Sequence, residues 1–224
     1  MKKMRWGEDP EFSGPRNWFR ESLIIKEVMR NKKNGKILDF GCGSGTLLIR
    51  LAQKGFKGMG VDISSSAIDF FSGQIRKNKL VNLHALRIDS RKFFSDTKLK
   101  DNFDIIVCGE TLEHLKNDKH IVKEFYRVLK NGGICVVSVP ARMDLWDIND
   151  NFSSHYRRYE KKDLEQLFID NGFLVKDVYY WGFPLSFYWH KYIYLPLIKK
   201  KMHQNKTYSR TPRIIGNTAL AYCF

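Results

Sequence analysis

The segment Lys36–Ala52, KILDFGCGSGTLLIRLA, constrains this chain more than any other stretch: an apolar strand-like run enters a glycine-rich turn and leaves as an amphipathic helical run. Gly41, Gly43 and Gly45 let the backbone pass close to a ligand, where a Cβ at the tightest position would collide with it. Such a turn beneath a helix N-terminus is a general nucleotide-binding device. KILDF is followed by GMGVDI, LHALRID, FDIIVC and GGICVVSVP, all short, mostly apolar and each trailed by a helix-like or loop segment. That alternation predicts an α/β fold with parallel strands joined by crossovers. FLVKDVYYW and the terminal NTALAYCF complete an expected seven-stranded sheet.

The helices are read from their stripes and ends. Asn17–Arg30 places Phe19, Leu23, Ile24 and Val28 near helical spacing, so an N-terminal helical segment over 1–34 is expected to lie against the sheet. Ser64 to Ser66 cap a helix carrying Ala67, Ile68, Phe71 and Ile75 on one face. Ile121, Val122, Phe125, Val128 and Leu129 form the next stripe, with Asn131-Gly132-Gly133 as its stop, and Leu164, Leu167 and Phe168 another, with Gly172 at the exit. With 43% hydrophobic residues, no repeat and no low-complexity tract, residues 1–224 are expected to form a single domain, interrupted by an aromatic and basic insertion at about 182–212.

A formal charge of +15, from 39 Lys and Arg against 24 Asp and Glu, points towards anionic partners such as nucleic acid, phosphorylated metabolites or a membrane surface without choosing among them. The four cysteines, Cys42, Cys108, Cys135 and Cys223, lack the spacing of a zinc knuckle or redox pair and read as small hydrophobes in a reducing compartment. No apolar run follows the charged N-terminus, which predicts a cytoplasmic protein.

Spacing sharpens the glycine loop. Asp62 ends the second strand, where an acid can accept hydrogen bonds from both hydroxyls of a ribose. The dinucleotide fingerprint GxGxxG needs a glycine where Thr46 stands; the pattern here is GxGxG with Asp39 ahead of it. ILDFGCGSG resembles the first motif of class I S-adenosylmethionine-dependent methyltransferases, and further motifs follow in order: VDIS with Asp62, RIDS with Asp89, and FDIIVCGETLEHL. The ETLEHL segment resembles the branch that includes the ubiquinone-biosynthesis O-methyltransferases. The resemblance implies a Rossmann-like, mostly parallel sheet with helices on both faces and the last strand antiparallel. It also implies S-adenosyl-L-methionine as cofactor, with S-adenosyl-L-homocysteine as product, held by Asp39, Gly41, Cys42, Gly43, Gly45, Asp62, Ile63, Asp89, Ser90 and Glu110. The ordinary reading of the three aspartates is as strand-end caps or acceptors for loop amides.

Methyl transfer from a sulfonium needs alignment and water exclusion more than covalent help from the protein. A hydroxyl acceptor gains from a base, and His114 and His155 are the candidates. Tyr156, Arg157 and Arg158, in HYRRYE, are expected to contact the acceptor, the arginines through paired hydrogen bonds to a carboxylate or phosphate. Glu110 and Glu113 with His114 do not have a diagnostic metal spacing, so no metal is expected, and Cys108 reads as core.

Tyr179 to Lys201 packs nine aromatics and a closing Lys199-Lys200-Lys201. Its uncharged stretch, Val178 to Trp189, has 12 residues, against the roughly 20 that span a bilayer. It reads as sheet cover, as a lid over an apolar pocket, or as an interfacial element making peripheral membrane contact. Together with this segment, the resemblance of ETLEHL to the ubiquinone-biosynthesis O-methyltransferases implies an acceptor that is small or lipid-linked and methylated at oxygen. The alternatives are an RNA methyltransferase, disfavoured by a fourth motif without Asn/Asp-Pro-Pro-aromatic, and a cofactor-binding protein without catalysis.

Overall fold

Strand residues alternate between two buried faces, and that alternation builds the molecule. The structure, a computed structural model, describes residues 15–182 and 218–223 together with Tyr188, Tyr192 and Pro196. Five strands run parallel: β1 (Lys36–Phe40), β2 (Lys57–Asp62), β3 (Leu83–Arg87), β4 (Phe103–Gly109) and β5 (Leu129–Pro140). β6 (Val175–Trp181) and β7 (Thr218–Cys223) extend the sheet, with β7 antiparallel to both β5 and β6, in the order β3-β2-β1-β4-β5-β7-β6.

Leu38, Ile106, Cys108, Cys135, Val137 and Val139 face one core; their neighbours Ile37, Ile105, Val107, Ile134 and Val136 face the other. A parallel sheet covered on both faces demands such doubly apolar runs, which is why the strands were legible. The first core is closed by α4 (Ser90–Phe94), α5 (Asp118–Val128) and α7 (Lys161–Ile169), the second by α1 (Pro15–Asn31), α2 (Thr46–Ala52) and α3 (Ser65–Lys77). A short helix, α6 (Ile148–Phe152), lies in the connection after β5.

Ser64 caps α3 as expected, its hydroxyl accepting the Ala67 N–H at 3.3 Å. Two details depart from the sequence reading. Leu129 is not the last turn of α5 but the first residue of β5, and Asn131-Gly132-Gly133 lies inside that strand, where the pairing with β4 shifts register between Phe103 and Ile105. Phe19 leaves the buried stripe of α1: it is half exposed, with its ring 5.6 Å from that of Trp181.

α1 is fastened by polar contacts as well as by Ile24 and Val28. Buried Glu21 accepts from Thr46 Oγ1 and, at 2.8 Å, from Arg50 Nη1, tying α1 to α2. Among the described residues no helix is long and apolar enough to cross a membrane. The 1–14 part of the expected N-terminal segment and nearly all of the expected 182–212 insertion lie outside the described residues.

Candidate active site

β1 and β4 are neighbours in the sheet but not in sequence, so the connections leaving their carboxyl ends diverge and open a crevice, the usual ligand position in such sheets. The glycine loop leaves β1 there. Gly41, Gly43 and Gly45 all have positive φ, at 73, 52 and 74°. The steric demand at two of them comes from the protein rather than from a ligand. A Cβ on Gly41 would lie 2.1 Å from Thr111 Oγ1, and one on Gly45 would lie 2.2 Å from the Phe71 ring.

Asp62 anchors that loop. One carboxylate oxygen accepts the Gly43 N–H at 3.0 Å and the other the Ser64 N–H at 2.8 Å, while the Val61 carbonyl takes the N–H groups of Gly41 and Cys42. Each carboxylate oxygen retains a lone pair for a ligand hydroxyl. Ile63, next in sequence, is 67% exposed, a flat apolar surface at the crevice edge. Asp89 caps α4 by accepting the Arg91 N–H at 2.9 Å, with Ser90 as the first residue of that helix, so the ordinary reading of this acid is also met.

Asp39 is buried, and its Oδ2 has no hydrogen-bond partner. Burial, reinforced by the charges of Glu21 and Asp62 and opposed by Arg20, pushes its carboxyl up to about 8. A cationic donor is what this orphaned acceptor lacks. Two acceptors, an orphan carboxyl and a two-oxygen carboxylate, beside an exposed apolar side chain fit a ligand that carries an ammonium, a ribose and a purine.

Beyond β4 stands Glu110, at a positive φ of 57°. Its N–H donates to the Ser138 carbonyl at 2.7 Å, and its carboxylate accepts from Arg16 Nη2 at 2.9 Å and Ser138 Oγ at 3.2 Å, with Arg20 at 3.8 Å. Burial raises this carboxyl, but the two guanidiniums outweigh it and hold Glu110 below the usual range. Glu113, one turn on, is fully buried, and neither of its oxygens has a hydrogen bond. Burial first, then the charge of Glu110, drives it well above the usual range. Two carboxyls three residues apart are thus pushed in opposite directions by their surroundings.

Around Glu113 the two expected histidines meet. His114 Nε2 lies 3.9 Å and His155 Nε2 4.0 Å from Glu113 Oε1, and the imidazole rings stand 4.7 Å apart, nearly perpendicular. One donor atom from each of Glu113, His114 and His155 falls within 4.8 Å of the others, a grouping that sequence spacing did not reveal because His155 arrives from a distant loop. His155 Nδ1 is 2.8 Å from Asp150 Oδ1, and Asp150 also accepts two hydrogen bonds from Arg158, each 2.8 Å. Arg157 pairs with Asp118 and donates to the Lys116 carbonyl at 2.9 Å. Both arginines expected at the acceptor thus already hold protein partners. Tyr156 is exposed, and its N–H donates to the Glu113 carbonyl at 2.8 Å. The sequence reading missed Asp150, Arg16 and Arg20; only the one-turn spacing of the two arginines on α1 hinted at a shared face.

The site imposes a pH dependence on stability. Burial, followed by the neighbouring His155, lowers His114 from 6.5 to about 4. The unfolded chain binds this proton first, so the contribution is complete above about pH 6.5 and is lost as pH falls towards 4, a loss of about 3 kcal/mol. Asp150 acts later: burial raises its carboxyl, but hydrogen bonds from His155 and Arg158 pull it to about 2. Over the same window Asp39, raised to about 8, and Glu113 contribute with the opposite sign, so urea unfolding at pH 7.5 and 4.5 reads the His114 share as a difference: the change on acidification should be less favourable in the natural protein than in His114→Gln by about 3 kcal/mol. Equal changes would remove His114 as the source of that share.

The fold is the Rossmann-like fold of S-adenosyl-L-methionine-dependent methyltransferases. A Haemonchus contortus phosphoethanolamine N-methyltransferase solved with S-adenosyl-L-methionine superposes with a TM-score of 0.67 over 97% of this chain and 55% of that one, at 17% identity. Residues 18–178 match the family described as a methyltransferase domain, and the chain belongs to that family. YqeM of Bacillus subtilis, named as a methyltransferase, is 30% identical over 135 residues, 58% of this chain and 49% of that protein. A ubiquinone biosynthesis O-methyltransferase of Pelagibacter ubique is 35% identical over 127 residues, 54% of this chain and 50% of that protein. The chain thus spans about half the length of the curated relatives it matches.

Proposed function

We propose that this chain transfers the methyl group of S-adenosyl-L-methionine to an oxygen of a small or lipid-linked acceptor. The observation that carries the reading is the meeting, at the carboxyl ends of β1 and β4, of an Asp62-anchored glycine loop with two imidazoles grouped about one buried carboxyl. When bound, the cofactor supplies a methyl carbon activated by a sulfonium.

In this reading the chain does the rest. Asp39 and Glu110 face the methionine end, the Gly41, Cys42, Gly43 and Gly45 loop approaches the ligand backbone-first, and Asp62 takes the ribose hydroxyls. Ile63, Asp89 and Ser90 border the purine. The contacts of Arg16 and Arg20 with Glu110 fasten α1 to the end of β4 beside that end of the site. One of His114 and His155 takes the acceptor proton, and Tyr156, Arg157 and Arg158 shape the wall on the acceptor side. The oxygen target and the lipid-linked class are supported by the name of the Pelagibacter relative. Peripheral membrane contact through the 182–212 segment belongs to the same reading.

The test is incorporation of labelled methyl from S-adenosyl-L-methionine into a panel holding a free catechol, a polyprenylated catechol and bulk transfer RNA. Label is expected in the solvent-extracted phenols. Label in RNA alone would replace this acceptor class, and cofactor binding without transfer to any member would favour a non-catalytic role.

A further inference from the structure

The two histidines are not equivalent: the Asp150 carboxylate stands directly behind His155. We propose that His155 is the base that takes the acceptor's proton and that buried Asp150 is its positioning residue, with Arg158 clamping the Asp150 carboxylate. This rests on the oxygen-methylating reading above.

The geometry begins with α6. Asp150 is almost wholly buried, and its carboxylate collects four contacts: His155 Nδ1, Arg158 Nε, Arg158 Nη2 and the Asp147 N–H, each at 2.8 Å. The His155 N–H closes back on the Asp150 carbonyl at 2.9 Å, so the ring is fixed from backbone and side chain together. An ionised carboxylate only accepts, so Nδ1 carries a proton and, in the neutral ring, the lone pair is at Nε2. That Nε2 looks towards Glu113 Oε1 across 4.0 Å, too far for a direct hydrogen bond.

His114 is held instead by a hydrogen bond with the Ser153 backbone. Its Nε2 faces the same Glu113 oxygen at 3.9 Å, and burial together with His155 drops it to about 4. An imidazole that weakly basic has little drive to take a hydroxyl proton near neutrality. The groups facing His155 are Asp150 from α6, Arg158 from its own loop, and Glu110, Glu113 and His114 from the turn after β4, with Arg16 and Arg20 of α1 behind Glu110.

The step balances. The acceptor oxygen forms its bond to the methyl carbon, the carbon–sulfur bond breaks with its electron pair going to sulfur, and the hydroxyl proton passes to His155 Nε2. The sulfonium charge disappears as the imidazolium charge appears, and Asp150 stabilises that cation as a carboxylate does behind a catalytic histidine. His155 then returns its proton to water through its exposed edge, 13% of the side chain.

The experiment has two arms on the full chain. In the first, long-range nitrogen–proton NMR of the imidazoles reads the tautomer at neutral pH without turnover. His155 is expected with its proton on Nδ1, shifting to the Nε2-protonated form in Asp150→Asn. A natural protein with the proton on Nε2 would overturn the proposal, whether or not an acceptor is known. In the second, with a phenol methylated by the natural protein, Asp150→Asn and His155→Gln should each lower kcat at least about 100-fold, leave S-adenosyl-L-homocysteine affinity within about twofold, and show no further loss when combined. Asp150→Asn should also move the acid limb of the kcat profile to lower pH, which a merely structural role would not do. His114→Gln should fall about tenfold or less. A deeper loss in His114→Gln than in His155→Gln, or activity abolished by a chelator and restored by zinc or manganese, would overturn the assignment. Failure of the panel with the expected tautomer intact would fault the acceptor class alone.

Discussion

Glu110→Ala is expected to destabilise the fold by about 3 to 5 kcal/mol, because it leaves Arg16 and Arg20 side by side without the carboxylate they share. Burial already lowers Arg16, and the neighbouring Arg20 lowers it further; Glu110 is the first group that opposes both. The change also deprives the Ser138 hydroxyl of its acceptor. Because these contacts join α1 to the ends of β4 and β5, the loss should appear as loosening of α1 before global unfolding. Glu110→Gly separates charge from strain: Glu110 sits at a φ of 57°, where glycine recovers roughly 1 kcal/mol that alanine does not. Urea unfolding of both variants, with hydrogen exchange across residues 15–31, measures the two contributions. A Glu110→Ala midpoint equal to the natural one would mean that the arginines are satisfied without it.

The contrast between what was legible in the sequence and what was not follows from range. Parallel strands buried on both faces must be apolar throughout, so KILDF and FDIIVC announced themselves, and the glycine loop was visible because positive φ selects glycine at Gly41 and Gly45 locally. The end of α5 was misread because Leu129 continues the helical spacing by coincidence while pairing with Phe103 as a strand residue. Arg157 and Arg158 read as anion binders from their place in the loop after β5, since nothing in the local sequence shows which acids hold them. Asp118 and Asp150 reach them only through the fold. The same holds for Glu113 and His155, far apart in sequence and brought together when the loop after β5 turns back over β4. Buried carboxylates with partners from remote loops are what single-sequence reading is least able to find, and here they include the groups that distinguish one histidine from the other.

Asp62→Ala is expected to weaken S-adenosyl-L-homocysteine binding about a hundredfold, near 3 kcal/mol. Part of that is direct, from the lost hydrogen bonds to ribose hydroxyls. Part comes from the loop, since Gly43 and Ser64 lose the oxygens that hold their N–H groups, and the glycine turn must then be ordered at the expense of binding. Asp62→Asn tells the two apart: its single carbonyl oxygen can hold one of the loop amides, so the turn is better preserved while the charge is gone, and a loss near tenfold is expected. Calorimetry with S-adenosyl-L-homocysteine on both variants, alongside their melting temperatures, is the measurement. Affinity unchanged in Asp62→Ala with a lowered melting temperature would reduce Asp62 to a loop anchor and take it out of the ligand site.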